Sequence, residues 1–436
     1  MRNYRIVRIA GIHYPKAVES IYNKNPELQI KTYSDQQAAV FDNAYIYSNS
    51  FSKGMRSLGH EAFEIIYDLE HLQKTWAKEK GIKYSSAHWQ QEILLAQIKH
   101  IRPDVVYFQD IYSLPFSARK QLKVLFPFIK IVAIFRGFPG GRPDVLCKEF
   151  EGADALFFGS PILVEKCASR GIRSHLIYHS FDEAILDKVQ KDPTVAEGEK
   201  YDFTFLGTSG HSDELAHQSR YWYLFELIKR TDLMLWIDEK TGVQKGTSAK
   251  LKKIIRGLLR KILLNINDAT LRNLSASKLI PDKGKKVIQE VISLKRNALR
   301  IPAGPLSEMF PDRCSPPVFG IELYKIMLRS KVTFNKHSDD ARDTIDNMRL
   351  FQATGIGTCL LTDDGRNMKD LFEPDYEVVT YSSIDECVEK VKFLLENDET
   401  RRQIALAGQK RTLRNHTTIK RCRQINDILQ ERLRNV

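Results

Sequence analysis

The stretch KVTFNKHSDDARDTIDNMRLFQATGIGTCLLTDD, residues 331–364, decides how the chain is read. It opens on a β-rich run at 331–335 and passes through a polar loop carrying Lys336, His337, Asp339 and Asp340. It then turns helical near Asp346 and Asn347 and closes on a second apolar run at 358–362. Strand, loop, helix and strand in this order are the unit of a parallel α/β sheet. Asp346 is suited to cap the helix. The free N–H groups of a first helical turn attract phosphate or diphosphate, and Lys336 and Arg349 can add charge-assisted bonds. Gly355 and Gly357 end the helix and permit the turn that follows.

The same rhythm extends in both directions. Downstream, helices at 368–372 and 384–397 flank a strand at 377–381. Upstream, strand-like runs at 4–10 (YRIVRIA), 104–109 (DVVYFQ), 129–135 (IKIVAIF), 155–158 (ALFF) and 175–178 (HLIY) alternate with helical patterns at 50–58, 88–100, 117–125 and 162–169. The pattern restarts with strands at 201–206 (YDFTFL) and 233–237 (LMLWI), a helix at 219–229 between them, and a helix at 320–328 leading into 331. Short apolar runs separated by amphipathic helices imply parallel sheets covered on both faces. The expected class is α/β, with two tandem Rossmann-like domains facing across a cleft. The expected bounds are 1–182, 183–415 with an insertion at 240–312, and a C-terminal helix at 416–436. Ligands of such sheets bind at the carboxyl ends of the strands.

The charge is confined to one place. The chain has 436 residues and a formal net charge of +13. Residues 240–300 hold 16 basic side chains against three acidic ones, so this segment carries the whole excess. Within it, Leu251, Ile254, Ile255, Leu258, Leu259, Ile262, Leu263 and Ile266 recur at helical spacing. Lys250, Lys252, Lys253, Arg256, Arg260 and Lys261 supply the cations. An apolar face backed by cations suits an anionic membrane surface, at about 1 kcal/mol per basic residue; packing on the protein body is the plainer use of such a helix. The segment has no aromatic residue to stack on bases, which argues against nucleic acid.

Other classes are excluded by what the sequence lacks. Strand 4–10 runs into Gly11-Ile12-His13-Tyr14-Pro15, which is neither a dinucleotide fingerprint nor a P-loop, and no nucleophile elbow occurs. The six cysteines are scattered without metal-ligand spacing and read as reduced, mostly buried thiols. Asp339-Asp340 and Asp363-Asp364 read as solvated loop acids, so no metal is expected. No run of 18 apolar residues and no secretory signal are present. The expected location is cytoplasmic, peripheral on the inner face of the cell membrane.

N-K-H at 335–337, D-N-M-R-L-F-Q-A-T-G-I-G-T-C-L-L-T-D at 346–363 and L-F-E-P-D-Y-E-V-V-T-Y at 371–381 together resemble the signature of the group 1-like glycosyltransferases, in the branch of the spore maturation protein CgeB. The tail through Asn415-His416-Thr417 is similar as well, as is Phe205-Leu206-Gly207-Thr208 followed by Arg220. The resemblance implies the GT-B architecture, with a nucleotide-sugar donor in the second domain and a glycan or lipid-linked acceptor on the first. It places Gly207, Thr208, Arg220, Asn347 and Arg349 beside the diphosphate; from their place in the loop before the helix, Lys336 is a further candidate for the diphosphate and His337 for the donor sugar. Gln352 falls where relatives carry a carboxylate that grips the ribose, a departure that bears on affinity and donor choice.

The leaving diphosphate needs its developing charge stabilised. The resemblance implies that helix dipoles and basic side chains do this without a metal or other cofactor. Lys336, Arg349 and Arg220 are the expected groups. An inverting transfer also needs a base on the acceptor hydroxyl. His13 after strand 4–10 and Asp110 after strand 104–109 stand at suitable strand ends, and Arg136 stands at a third, for the acceptor or a phosphate. A retaining transfer needs no such base. An inactive GT-B binding protein and a GT-B sugar-nucleotide epimerase are the alternative readings.

Overall fold

The computed structural model describes residues 3–435 apart from 46–47, 138–139, 141–148, 196–197, 212–214, 240–258, 260–261, 264, 278, 282–283, 286, 289–290 and 293–303. Two six-stranded parallel sheets organise it, which is the α/β class expected. The first contains β1 (Arg5–Ala10), β2 (Glu61–Ile66), β3 (Val105–Phe108), β4 (Ile131–Arg136), β5 (Ala155–Phe158) and β6 (His175–Leu176), in the order β2-β1-β3-β4-β5-β6. The second contains β7 (Tyr201–Thr208), β8 (Met234–Asp238), β9 (Cys314–Ser315), β10 (Ser330–Asn335), β11 (Cys359–Asp363) and β12 (Val379–Tyr381), in the order β12-β11-β10-β7-β8-β9.

β2 is the strand that the sequence reading passes over. Glu61 and Glu64 interrupt its apolar run, but β1 lies alongside with Arg8 opposite Glu64 in the register. The Arg8 Nε to Glu64 Oε2 distance is 2.6 Å, and both side chains are buried. A charge that reads as solvent-facing is instead neutralised by the neighbouring strand. Helices Pro15–Lys24, Tyr33–Asp42 and Glu70–Glu79 also exceed the expectation, and the strand at 175–178 shortens to two residues.

By compactness the chain divides into residues 1–204 with 318–436, and residues 205–317. In the larger unit, one face of the first sheet packs Val7, Ile9, Val106, Phe108, Val132 and Phe158 against helices Trp89–Ile101 and Phe116–Leu125. The other face packs Tyr4, Ile6, Tyr107, Phe135 and Phe157 against helix Ser50–Ser57 and the last helix, Thr418–Arg434, through Cys422, Ile425, Leu429 and Leu433. Thr417 pairs with Phe181 just before that helix. β10 pairs with both β7 and β11, so the segment 331–364 forms the middle of its sheet.

In the smaller unit, helix Gln218–Arg230 lies between β7 and β8 in the chain. Glu239 accepts the backbone N–H groups of Leu306 and Ser307, both at 2.9 Å, at the start of helix Leu306–Met309. The six cations proposed for membrane contact, Lys250, Lys252, Lys253, Arg256, Arg260 and Lys261, lie outside the described residues. Cys167, Cys314, Cys359, Cys387 and Cys422 are free thiols. Among the described residues no helix is long and apolar enough to cross a membrane.

Candidate active site

The order β2-β1-β3 places the reversal of strand order between β1 and β3, and a doubly wound sheet opens its crevice at the carboxyl ends of such a pair. His13 follows β1 and Asp110 follows β3, and the structure brings them together. His13 Nε2 lies 3.0 Å from Asp110 Oδ2. The carboxylate can only accept, so Nε2 carries a proton; in the neutral ring Nδ1, 3.9 Å from Asp68 Oδ2, is then the acceptor. Asp68, at the end of β2, accepts the backbone N–H groups of Ile12 at 2.9 Å and His13 at 2.8 Å. Tyr67 Oη donates to Asp110 Oδ1 at 3.2 Å. The His13 ring folds over its own strand end, where a Cβ on Gly11 would stand 2.6 Å from His13 Cε1. Burial disfavours the charged imidazole, but the hydrogen bond and charge of Asp110, with Asp68 behind it, outweigh that and raise the His13 pKa.

In the second sheet, β10 and β11 run side by side and end on Asn335 and Asp363. Asp363 is not the solvated loop acid that its sequence position suggests. Its carboxylate accepts from Lys336 Nζ at 2.8 Å, from the His337 backbone N–H at 3.0 Å and from His337 Nδ1 at 2.7 Å. Burial alone would raise this carboxyl; His337 and Lys336 reverse that and hold it well below the usual carboxylate range. His337 is therefore fixed through Nδ1, and its buried Nε2 has no partner among the described residues.

The helix opened by this loop is Met348–Ile356, and Asn347 caps it rather than Asp346. The Asn347 backbone is extended, its Oδ1 accepts the Leu350 N–H at 3.1 Å, and its amide donates to Asn335 Oδ1 at 2.8 Å. Asp346 is turned inward. Burial pushes its carboxyl up to about 6 against the opposing influence of His337, and its Oδ2 has no partner among the described residues. An ideal Cβ on Gly159 would lie 3.4 Å from that oxygen and 3.2 Å from Gly137 Cα. The ends of β4 and β5 thus run against the segment leading into the helix. Gly357 closes the helix in the left-handed region, as expected.

The remaining expected residues fall into separate groups. Arg349 donates to Gln352 Oε1 at 2.9 Å, and Gln352 donates to Tyr324 Oη at 3.2 Å. Arg136 is held by Glu149 at 2.7 Å and by the Gly140 carbonyl. In the smaller unit, Arg220 donates to Thr208 Oγ1 at 3.0 Å just past Gly207. Asp68, Tyr67 and Asp363 were missed by the sequence reading. Asp68 had no signal because β2 was not read as a strand, and Asp363 was hidden in an ordinary acidic pair.

Residues 294–427 match the model of a family described as glycosyl transferase-like. No curated protein matches the chain significantly. Among solved structures, a glycosyltransferase from Rickettsia africae is similar over 100% of both chains at 10% identity, with a TM-score of 0.53. Anabaena HepE in complex with UDP-glucose is similar over 98% of this chain and 100% of that one, at 10% identity and a TM-score of 0.54. Sucrose-phosphate synthase from Thermosynechococcus elongatus is similar over 100% of both, at 9% identity and a TM-score of 0.53. Residues 294–427 thus carry a glycosyl transferase-like segment, and the chain as a whole shares the GT-B fold of these solved structures.

Proposed function

We propose that the protein transfers a sugar from a nucleotide-diphosphate donor to a hydroxyl of a glycan or lipid-linked acceptor, with inversion and without a metal. The observation that carries this is the His13–Asp110 pair at the strand reversal of the first sheet. The acceptor O–H proton passes to His13 Nδ1, and Asp110 stabilises the imidazolium. The freed oxygen attacks the anomeric carbon, and the bond from that carbon to the diphosphate breaks with its electron pair left on the diphosphate. Helix Met348–Ile356, opened by Asn347, meets the leaving charge with Lys336, Arg349 and Arg220. Gly207, Thr208, His337 and Gln352 complete the donor side, and Arg136 is kept for the acceptor or a phosphate.

Support for the donor comes from HepE, whose shared fold holds UDP-glucose. The motifs around 335–381 support the finer placement beside the CgeB relatives, and the basic face of 248–266 supports work at an anionic membrane surface on the cytoplasmic side. A binding protein gives no reason for a base held at a strand reversal, and the small soluble substrate of an epimerase gives none for the cations of residues 248–266. The test is release of UDP or GDP from a panel of sugar nucleotides with mixed saccharide and lipid-linked acceptors, in the presence of EDTA. Acceptor-dependent release supports the reading; no release from any donor refutes it, and release abolished by EDTA refutes the metal-free part.

A further inference from the structure

The proton chemistry leaves the rings around His13 unused. Tyr112 is 69% exposed, yet it is held in place. Its backbone N–H donates to Asp110 Oδ1 at 2.8 Å, which ties the loop to the same carboxylate that orients His13. Its ring meets the imidazole edge-on, with centroids 5.5 Å apart and planes at 77°. On the other side of the chain at this point, Tyr14 is 38% exposed and leans on Phe319 at 5.9 Å. Large aromatic rings gain by burial, so one kept open yet ordered at a reacting group points to a ligand that covers it.

The surrounding polar groups select the ligand. Asp68 and Asp110 stand beside a single imidazole. Arg119, which feels the charge of Asp110, is buried and held by the carbonyls of Ile111 and Glu149. Asp110 already accepts from Gly11, His13, Tyr67 and Tyr112, whereas each Asp68 oxygen takes one backbone N–H. Two carboxylates here are wrong for a phosphate or sulfate, and Asp68 can still accept from a ligand hydroxyl. A flat ring beside hydroxyl acceptors matches a pyranose, which has an apolar C–H face and a polar edge.

We infer that the acceptor is a neutral saccharide whose sugar ring lies on Tyr112, which brings one of its hydroxyls to His13 Nδ1. This rests on His13 as the base and names the acceptor class. It makes Tyr112 a specificity-determining residue that takes no part in proton transfer.

The experiment is saturation-transfer-difference NMR on the full chain with maltose, cellobiose, lactose, mannobiose and chitobiose, with glucose 1-phosphate and glucuronic acid as charged comparators. At least one neutral disaccharide should receive saturation on the C–H face of one ring. Y112A should lower that signal at least fivefold and Y112F should keep it, while the thermal shift given by UDP or GDP stays as in the parent protein. No signal from any neutral disaccharide, an equal signal in Y112A, or a preference for the charged comparators would overturn the inference. Sugar-nucleotide turnover decides the transferase reading separately. Disaccharide binding lost in Y112A in a protein that never turns over a donor supports the saccharide site and defeats the transferase. Transfer with Y112A unaffected does the reverse.

Discussion

Each sheet presents one histidine bound to one aspartate, and the two pairs differ in a way that separates chemistry from scaffolding. In the first sheet the His13 side chain is 34% exposed and bonds Asp110 at 3.0 Å. In the second, the His337 side chain is 3% exposed and bonds Asp363 at 2.7 Å, with Lys336 on the same carboxylate. The first imidazole is partly open, with Nδ1 at 3.9 Å from Asp68 rather than locked in a short bond, and can trade protons with a substrate. The second is locked into a three-residue knot whose acid stays charged. The same two residue types make a reagent where the ring is open and, where it is buried, a rigid mount for the donor side.

Removing the reagent should have the largest effect. His13→Ala should lower the transfer rate by about 10²–10⁴-fold, with UDP or GDP binding unchanged by calorimetry; a loss under threefold would demote the pair to structure. Breaking the support should show in stability instead. Asp363→Asn leaves Lys336 and His337 without their shared carboxylate and should cost about 3–5 kcal/mol in urea denaturation. An unchanged midpoint would mean the knot holds nothing.

The smallest effect concerns Asp346 beside the knot. Its folded pKa of about 6 lies above the ordinary 3.8, so the folded state binds the extra proton. Its contribution favours folding at low pH and is lost as pH rises from about 3.8 to about 6. Asp346→Asn should therefore raise stability at pH 8 by up to about 3 kcal/mol and leave it nearly unchanged at pH 4. Equal effects at both values would show that this carboxyl is not destabilised by burial.

Much of the fold was legible because β1, β3, β4 and β5 are nearly pure apolar runs, a pattern that tolerates few other readings. The loop from Asn335 to Asn347 was legible as well, since a strand end, polar residues and a helix start follow one another directly. What escaped was pairing at a distance. Glu64 looks like a surface acid until Arg8 is opposite it, and β2 vanishes from the reading with it. His13 and Asp110 were separate candidates because only the placement of β3 beside β1 joins positions nearly a hundred residues apart. Asp346 was chosen as the cap on residue type alone; the amide of Asn347 wins because it can accept from Leu350 and donate to Asn335 at once.

The last helix, Thr418–Arg434, has a consequence for biosynthesis. It covers Tyr4, Ile6, Phe135 and Phe157, residues of the first sheet made long before it. As the chain leaves the ribosome, that sheet waits for the final residues with one oily side uncovered, which is when newborn proteins stick to one another. A premature stop between the end of β6 and residue 418 would leave that side bare for good, so such truncated products should end as chaperone clients or inclusion bodies.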